Sequence, residues 1–181
     1  MQPPPPPLNI AQLKTLVAKA DLIVVGKITA VKETEGTIEA TLSIEKLLKG
    51  KVAGKTIGIK ETYKAFNSQP TAPVSKAEGE SPKMIVRTIA GPSTYHGKYK
   101  QGARILVLME KIEGTDKYRP LGSGTYNKHL CEFIIENDGI KNINTNYFRF
   151  AEDVGKYTAT ENNFTGFIKK LIKSNFNKVR E

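Results

Sequence analysis

The sequence predicts a mainly β domain, a small barrel closed by a bent first strand, with one α-helix ahead of it and one behind. Three observations carry this reading. From Ala20 to Gly50, ADLIVVGKITAVKETEGTIEATLSIEKLLKG reads as a strand, a short polar turn and a second strand of almost unbroken alternation. The run ARILVLM, Ala103 to Met109, has the composition of a central strand buried on both faces. Helical periodicity is clear only near the two ends of the chain.

The N-terminal helix is expected over Asn9 to Lys19, where Ile10, Leu13, Leu16 and Val17, then Ala20, fall on one side. Asn9 and Gln12 have the spacing of a capping box. The first strand, Leu22 to Val31, is apolar on both faces as far as Val25. Gly26 then marks a bulge or bend, of the kind a closing barrel needs. Across Thr37 to Glu45 the alternation puts Ile38, Ala40, Leu42 and Ile44 inward, with Thr37, Glu39, Thr41, Ser43 and Glu45 outward. A third strand follows at Thr56 to Lys60.

Residues 61–102 form a long Pro-, Ser-, Gly- and Lys-rich insertion in which only Met84 to Ile89 is strand-like. Loops of this length are commonly functional or disordered. Further strands are expected at Tyr118 to Leu121 and at Leu130 to Glu136. The latter leads through the hairpin signal Asn137-Asp138-Gly139 into Ile140 to Ile143. The last element is an amphipathic helix over Asn162 to Val179. Phe164, Phe167, Ile168, Leu171, Ile172 and Phe176 make its buried stripe, with Lys169, Lys170, Lys173 and Lys178 mostly off it, and Thr158 and Glu161 have capping-box spacing. The chain thus divides into a proline-rich spacer at 1–8 and a single domain at 9–181.

Composition narrows the function classes. The 181 residues are enough for one buried core, and 39% hydrophobic with 25% charged residues is ordinary for a globular domain. No apolar run approaches the roughly 20 residues of a membrane-spanning helix. The start, MQPPPPP, lacks the basic and apolar regions of a signal peptide. Pro3 to Pro7 should be an extended polyproline II spacer. Such a start fits a chain whose leader or anchor has been removed, and a leader of that kind would tether it to a membrane. A single cysteine, Cys131, excludes an intramolecular disulfide framework. The net charge of +10 comes mostly from lysines spread along the chain together with abundant Ile and Asn, as coding bias would produce. It still predicts weak, salt-sensitive attraction to polyanions.

In this order, ADLIVVGKI, an alternating strand ending IEKLLKG, TIGIK, a long loop, QGARILVLM and GSGTYN resemble the bacterial relatives of the netrin-like domain. That domain is the module of tissue inhibitors of metalloproteinases. The matching positions are Ala20, Asp21, Val25, Gly26, Leu48, Lys49, Gly50, Gly102, Leu106 and Val107, within Ala20 to Ile143. The resemblance implies a five-stranded OB-type β-barrel with flanking helices. It also implies an extracytoplasmic module, periplasmic, cell-surface or secreted, that binds another protein without being an enzyme. In the metalloproteinase inhibitors a mature N-terminal cysteine chelates the protease zinc. This chain has prolines there and no disulfide framework, so that mechanism is not expected of it.

OB barrels also bind nucleic acid across strands two and three, and this is the alternative reading. The outward positions there are Thr37, Glu39, Thr41, Ser43 and Glu45, with Thr56, Gly58 and Lys60 opposite. They hold two carboxylates and no aromatic. Stacking contributes about 1–3 kcal/mol per base, so the usual affinity term is missing. The lysines of the last helix read first as a solvated face, with a basic patch as the lesser alternative.

His129 and Cys131 share a strand face, with His96 in the insertion, but they fall short of a metal-ligand set. A buried cysteine beside a surface histidine is commoner. Ser93, His96 and Glu78 lack a nucleophile elbow. Gly122-Ser123-Gly124 reads as a turn. No cofactor, metal or catalytic residue is therefore expected. Tyr63, Phe66, Tyr95 and Tyr99 punctuate the insertion and either pin it to the barrel or contact a partner. They are the candidate partner-binding residues.

Overall fold

The computed structural model describes residues 10–34, 36–62, 99–121, 131–142 and 159–177. The proline spacer at 1–8, Asn9, the Met84 to Ile89 segment and Thr158 lie outside them. The elements are α1 (Ile10–Lys19), β1 (Leu22–Thr34), β2 (Thr37–Lys49), β3 (Thr56–Thr62), β4 (Arg104–Lys111), β5 (Lys117–Pro120), β6 (Glu132–Glu136), β7 (Gly139–Asn142), β8 (Ala159–Thr160) and α2 (Glu161–Asn177). Strands β1-β2-β3-β5-β4 are paired in that order, and β1 also pairs with β4, closing the ring. Every pairing is antiparallel except β3–β5. This is a five-stranded OB-type barrel with a helix at each end, as the sequence predicts.

Strands β6, β7 and β8 extend the sheet beyond the ring. They can do so because β4 divides one of its edges. Its first half, Arg104 to Val107, pairs with β6, and its last three residues, Met109 to Lys111, pair with β5. The changeover is at Leu108, whose N–H donates to the Cys131 carbonyl at 2.8 Å while its carbonyl accepts from Leu121 N–H at 2.9 Å.

Two apolar cores result. One fills the barrel, with Leu22, Val24, Ile28, Leu42, Ile59, Ile105 and Val107 among its members. The other lies outside the wall, where Ile23, Val25, Leu106 and Leu108 meet Leu13 and Val17 of α1, Phe133 of β6, and Phe164 and Ile168 of α2. The rings of Phe133 and Phe164 lie tilted with centroids 4.8 Å apart. The double-sided apolar composition of early β1 and of β4 is explained: each strand is the partition between two cores.

Gly26 ends that regime in β1. The β1–β2 register shifts between Val25 and Gly26, and a Cβ on Gly26 would stand 2.3 Å from the Ser43 carbonyl oxygen. Only glycine allows this approach. After the bulge Lys27 and residues 29–34 of β1 are exposed.

Several sequence boundaries shift. Strand β2 runs to Lys49 and β3 to Thr62, so the long insertion begins later than residue 61. It also ends earlier than 102. Gly102 N–H already donates to Ile28 O at 2.7 Å, and the Ile28 N–H donates to Ala103 O at 2.8 Å. The Asn137-Asp138 turn is present, with Asn137 at φ 53°. At the start of α2 the Thr160 hydroxyl caps the Asn163 N–H at 3.3 Å.

Glu161 at that helix start is instead held by the barrel. Arg104 of β4 donates to Glu161 at 3.0 and 3.2 Å and to Glu45 at 2.7 Å, and Lys46 reaches Glu161 at 2.8 Å. Burial alone would raise the Glu161 carboxyl. The hydrogen bonds from Arg104 and Lys46, with their charges, outweigh it and hold the group below the usual carboxylate range. The stabilisation is therefore complete above 4.5, the ordinary value, and is lost as pH falls through the lowered folded value.

Two outcomes are expected. Gly26→Ala should cost at least about 2 kcal/mol in urea unfolding, because backbone of β2 must move to admit one methyl group. Glu161→Gln should cost about 1–2 kcal/mol at neutral pH. That difference should disappear well below pH 4.5 in unfolding curves recorded across pH.

Candidate functional site

The surface that OB barrels use for ligands is formed here by the outer faces of β2, β3 and β5. The parallel β3–β5 ladder places Lys117 opposite Gly58 and Tyr118 opposite Ile59. A Cβ on Gly58 would lie 3.4 Å from the Lys117 Cγ, so the lysine stem lies over the glycine. Its ammonium then reaches β2, donating to Glu39 Oε1 at 2.9 Å, and Lys60 approaches the same oxygen at 3.6 Å. The hydrogen bond from Lys117 holds the Glu39 carboxyl below its usual range, against a smaller opposing effect of burial. Next along β5, Arg119 Nε donates to Glu110 Oε1 at 2.6 Å.

The β4–β5 loop forms the lip of this surface. Thr115 Oγ1 donates to Ile112 O at 2.9 Å and accepts from Lys117 N–H at 3.1 Å, while Ile112 N–H donates to Lys117 O at 3.0 Å. Gly114 turns the chain with φ +73°. Between this loop and the end of β3 lies an open cleft of about 1110 Å3, lined by Lys60, Thr62, Lys117 and Arg119 as well as by Glu113 and Asp116 of the loop. The size suits a side-chain cluster or a short peptide segment.

The electrostatics of the cleft argue about its ligand. Lys60 and Lys117 meet Glu39 and Arg119 meets Glu110, while Lys111 adds positive charge to the lining and Glu113 and Asp116 add negative charge. A polyanion would have to displace these pairs, and among the described lining residues it would find no aromatic face to stack on. Tyr118, the one aromatic of β5, is half-buried and packs against the barrel core. The alternation of signs is better matched by a polypeptide, which carries both.

Sequence reasoning identified Glu39 and Lys60 as outward residues but missed Lys117, Arg119 and the loop between β4 and β5. The available signal was modest: Lys117 and Arg119 stand two apart on a strand that follows a glycine turn. Their importance depends on β5 lying beside β3, which only the barrel topology reveals.

Of the four candidate partner-binding residues, Tyr63, Phe66 and Tyr95 lie outside the described residues, as do Ser93, His96 and His129. Tyr99 is in the barrel core, 5% exposed, and its hydroxyl donates to the carboxylate of Glu132, itself 1% exposed. It therefore plays the pinning role and offers no contact surface. Burial, followed by the negative charges of Glu132 and Glu61, pushes its hydroxyl well above the usual tyrosine range, so it stays a proton donor. Glu61 is buried too. It continues the inward row of Ile57 and Ile59, a period-two signal that places it inside even though it is charged. Cys131 is fully buried in the outer core. Among the described residues no group of three or more His, Cys, Asp or Glu side chains is placed to hold a metal ion.

The positions that carry the family resemblance are joints of the framework. Lys49 Nζ donates to Val17 O and Ala18 O at 2.8 and 2.9 Å, capping the C-terminus of α1. Gly50, at φ +94°, faces the Asp21 carbonyl so closely that a Cβ would stand 2.4 Å from it. Asp21 accepts from Lys111 N–H through Oδ2 at 2.9 Å. No protein-family model matches the chain.

Tyr99→Phe tests the pin. Removing a donor from a buried carboxylate should cost about 1–3 kcal/mol of unfolding free energy. A Tyr99 that served only as a partner contact would leave the urea midpoint where it is.

Proposed function

We propose that the chain is a non-enzymatic, extracytoplasmic protein-interaction module built on a netrin-like OB barrel. The observation that carries the binding part is the cleft beside β3 and β5. It occupies the usual ligand side of an OB barrel, and it offers paired charges of both signs around a large open volume. A protein segment satisfies such a surface by exchanging one set of ion pairs for another, whereas a nucleic acid strand brings only negative charge. The extracytoplasmic placement rests on the sequence resemblance. Tyr63, Phe66 and Tyr95 belong to this reading as further contacts, and Tyr99 does not.

A photo-crosslinking amino acid at Thr115, on the lip of the cleft, tests the reading in the native host's envelope fraction. The same probe at Lys32 of β1 is the reference. The expected outcome is a discrete protease-sensitive adduct from Thr115 that Lys32 does not give. Identical patterns at both positions would remove the cleft from consideration. An adduct digested by nuclease would instead favour the nucleic-acid alternative.

A further inference from the structure

The outer face of α2 is unlike the cleft in one respect: its charges have one sign. Past Glu161 the helix holds no acidic residue, and Lys169, Lys170 and Lys173 are all exposed. None of the three takes part in an ion pair among the described residues. At 100° per residue, Lys169 and Lys173 lie within about 60° of Phe176, so ring and ammonium groups share one surface. Phe176, which the helical spacing places in the buried stripe, is instead 64% exposed because the helix runs past the edge of the outer core, and this is the highest value among the exposed large hydrophobics of the described residues.

This face is presented rigidly. Phe164, Ile168 and Leu171, about 80° to 140° around the helix from Phe176, are buried in the outer core, and Glu161 is clamped by Arg104 and Lys46. The helix cannot roll to bury Phe176 without withdrawing Phe164 from Phe133.

We propose that this face of α2 docks on an anionic phospholipid surface, with the helix lying in the plane of the headgroups. Lys169 and Lys173 meet the lipid phosphates, Lys170 flanks them about 120° around the helix from the ring, and Phe176 enters the boundary of the acyl region. The long lysine stems accompany the ring while their ammonium groups stay among the headgroups. Each lysine is worth about fivefold in partitioning near an anionic leaflet. The single ring contributes about tenfold when it inserts. Together they give reversible association that salt weakens, short of permanent anchoring. The contact is independent of the cleft and stands or falls separately from the protein-binding reading.

The test is sedimentation of the whole chain with vesicles of phosphatidylglycerol and phosphatidylcholine, and with phosphatidylcholine alone. Binding is expected only to the mixed vesicles and should decline with added salt. Lys169→Glu with Lys173→Glu should weaken it at least about 30-fold, given two lysines at roughly fivefold each and added repulsion. Lys27→Glu with Lys32→Glu, exposed on β1, changes net charge equally and should have a much smaller effect. Phe176→Ser should weaken binding about tenfold while leaving its salt dependence unchanged. Circular dichroism melting of each variant confirms that it is folded. Equal losses from both charge reversals would assign the binding to overall charge and overturn the proposal. So would unchanged binding by Phe176→Ser, or α2 lysines that bind an oligonucleotide but no vesicle.

Discussion

The ladder between Leu22–Lys27 of β1 and Arg104–Met109 of β4 is the wall on which both cores rest. Its inward row fills the barrel, and its outward row receives α1, α2 and the β6–β8 extension. Burying each of these aliphatic side chains contributes about 1.5–3 kcal/mol, so the wall is stabilised from both sides. The same ladder also limits the fold. A strand buried on both faces cannot carry charge, and Gly26 is where β1 leaves that environment and Lys27 becomes possible. On β4 the equivalent exit is at Glu110 and Lys111, beyond the stretch paired with β1. The cleft therefore starts where the wall ends.

The family-like pattern gains a physical meaning from this arrangement. Ala20 is buried at the end of α1, Asp21 ties the start of β1 to β4, Lys49 caps α1 and Gly50 passes against Asp21. Residues distant in sequence form a single corner that fixes how α1 leaves the helix layer and enters the barrel. A pattern of this kind carries information about architecture, and it leaves the choice of ligand to surfaces elsewhere.

Legibility in the sequence followed the range of the interactions involved. Alternation in β1 and β2, the apolar run of β4, the Asn137-Asp138 hairpin and both amphipathic helices are local patterns, and each formed where the spacing predicted, except that Phe176 at the end of α2 is exposed where the period placed it inside. The barrel closure was inferred from Gly26 and the apolar runs, which report burial on two faces. Three features escaped. The two-residue β8 has no pattern to read. The buried carboxylates Glu61 and Glu132 oppose the rule that charge lies outside, and the hydroxyl of Tyr99, 33 positions before Glu132, helps accommodate that carboxylate. The cleft depends on the parallel β3–β5 pairing, which brings Lys117 over Gly58 across 59 positions of sequence. No local period encodes that contact.

The net charge of +10 acquires a different significance once it is placed on the fold. As composition it predicts diffuse attraction to any polyanion. In three dimensions most of the basic residues on the ligand side of the barrel are paired with carboxylates: Lys60 and Lys117 share Glu39, and Arg119 holds Glu110. The clamp at the start of α2 is also balanced, with Arg104 and Lys46 facing Glu45 and Glu161. Along the outer face of α2 beyond that clamp, no such matching occurs among the described residues. Charge that is neutralised within a surface gives specificity through exchange of pairs, and charge that is left unmatched gives long-range attraction. The two surfaces are thus suited to different kinds of partner, and the rigid wall between the cores keeps them in fixed relation.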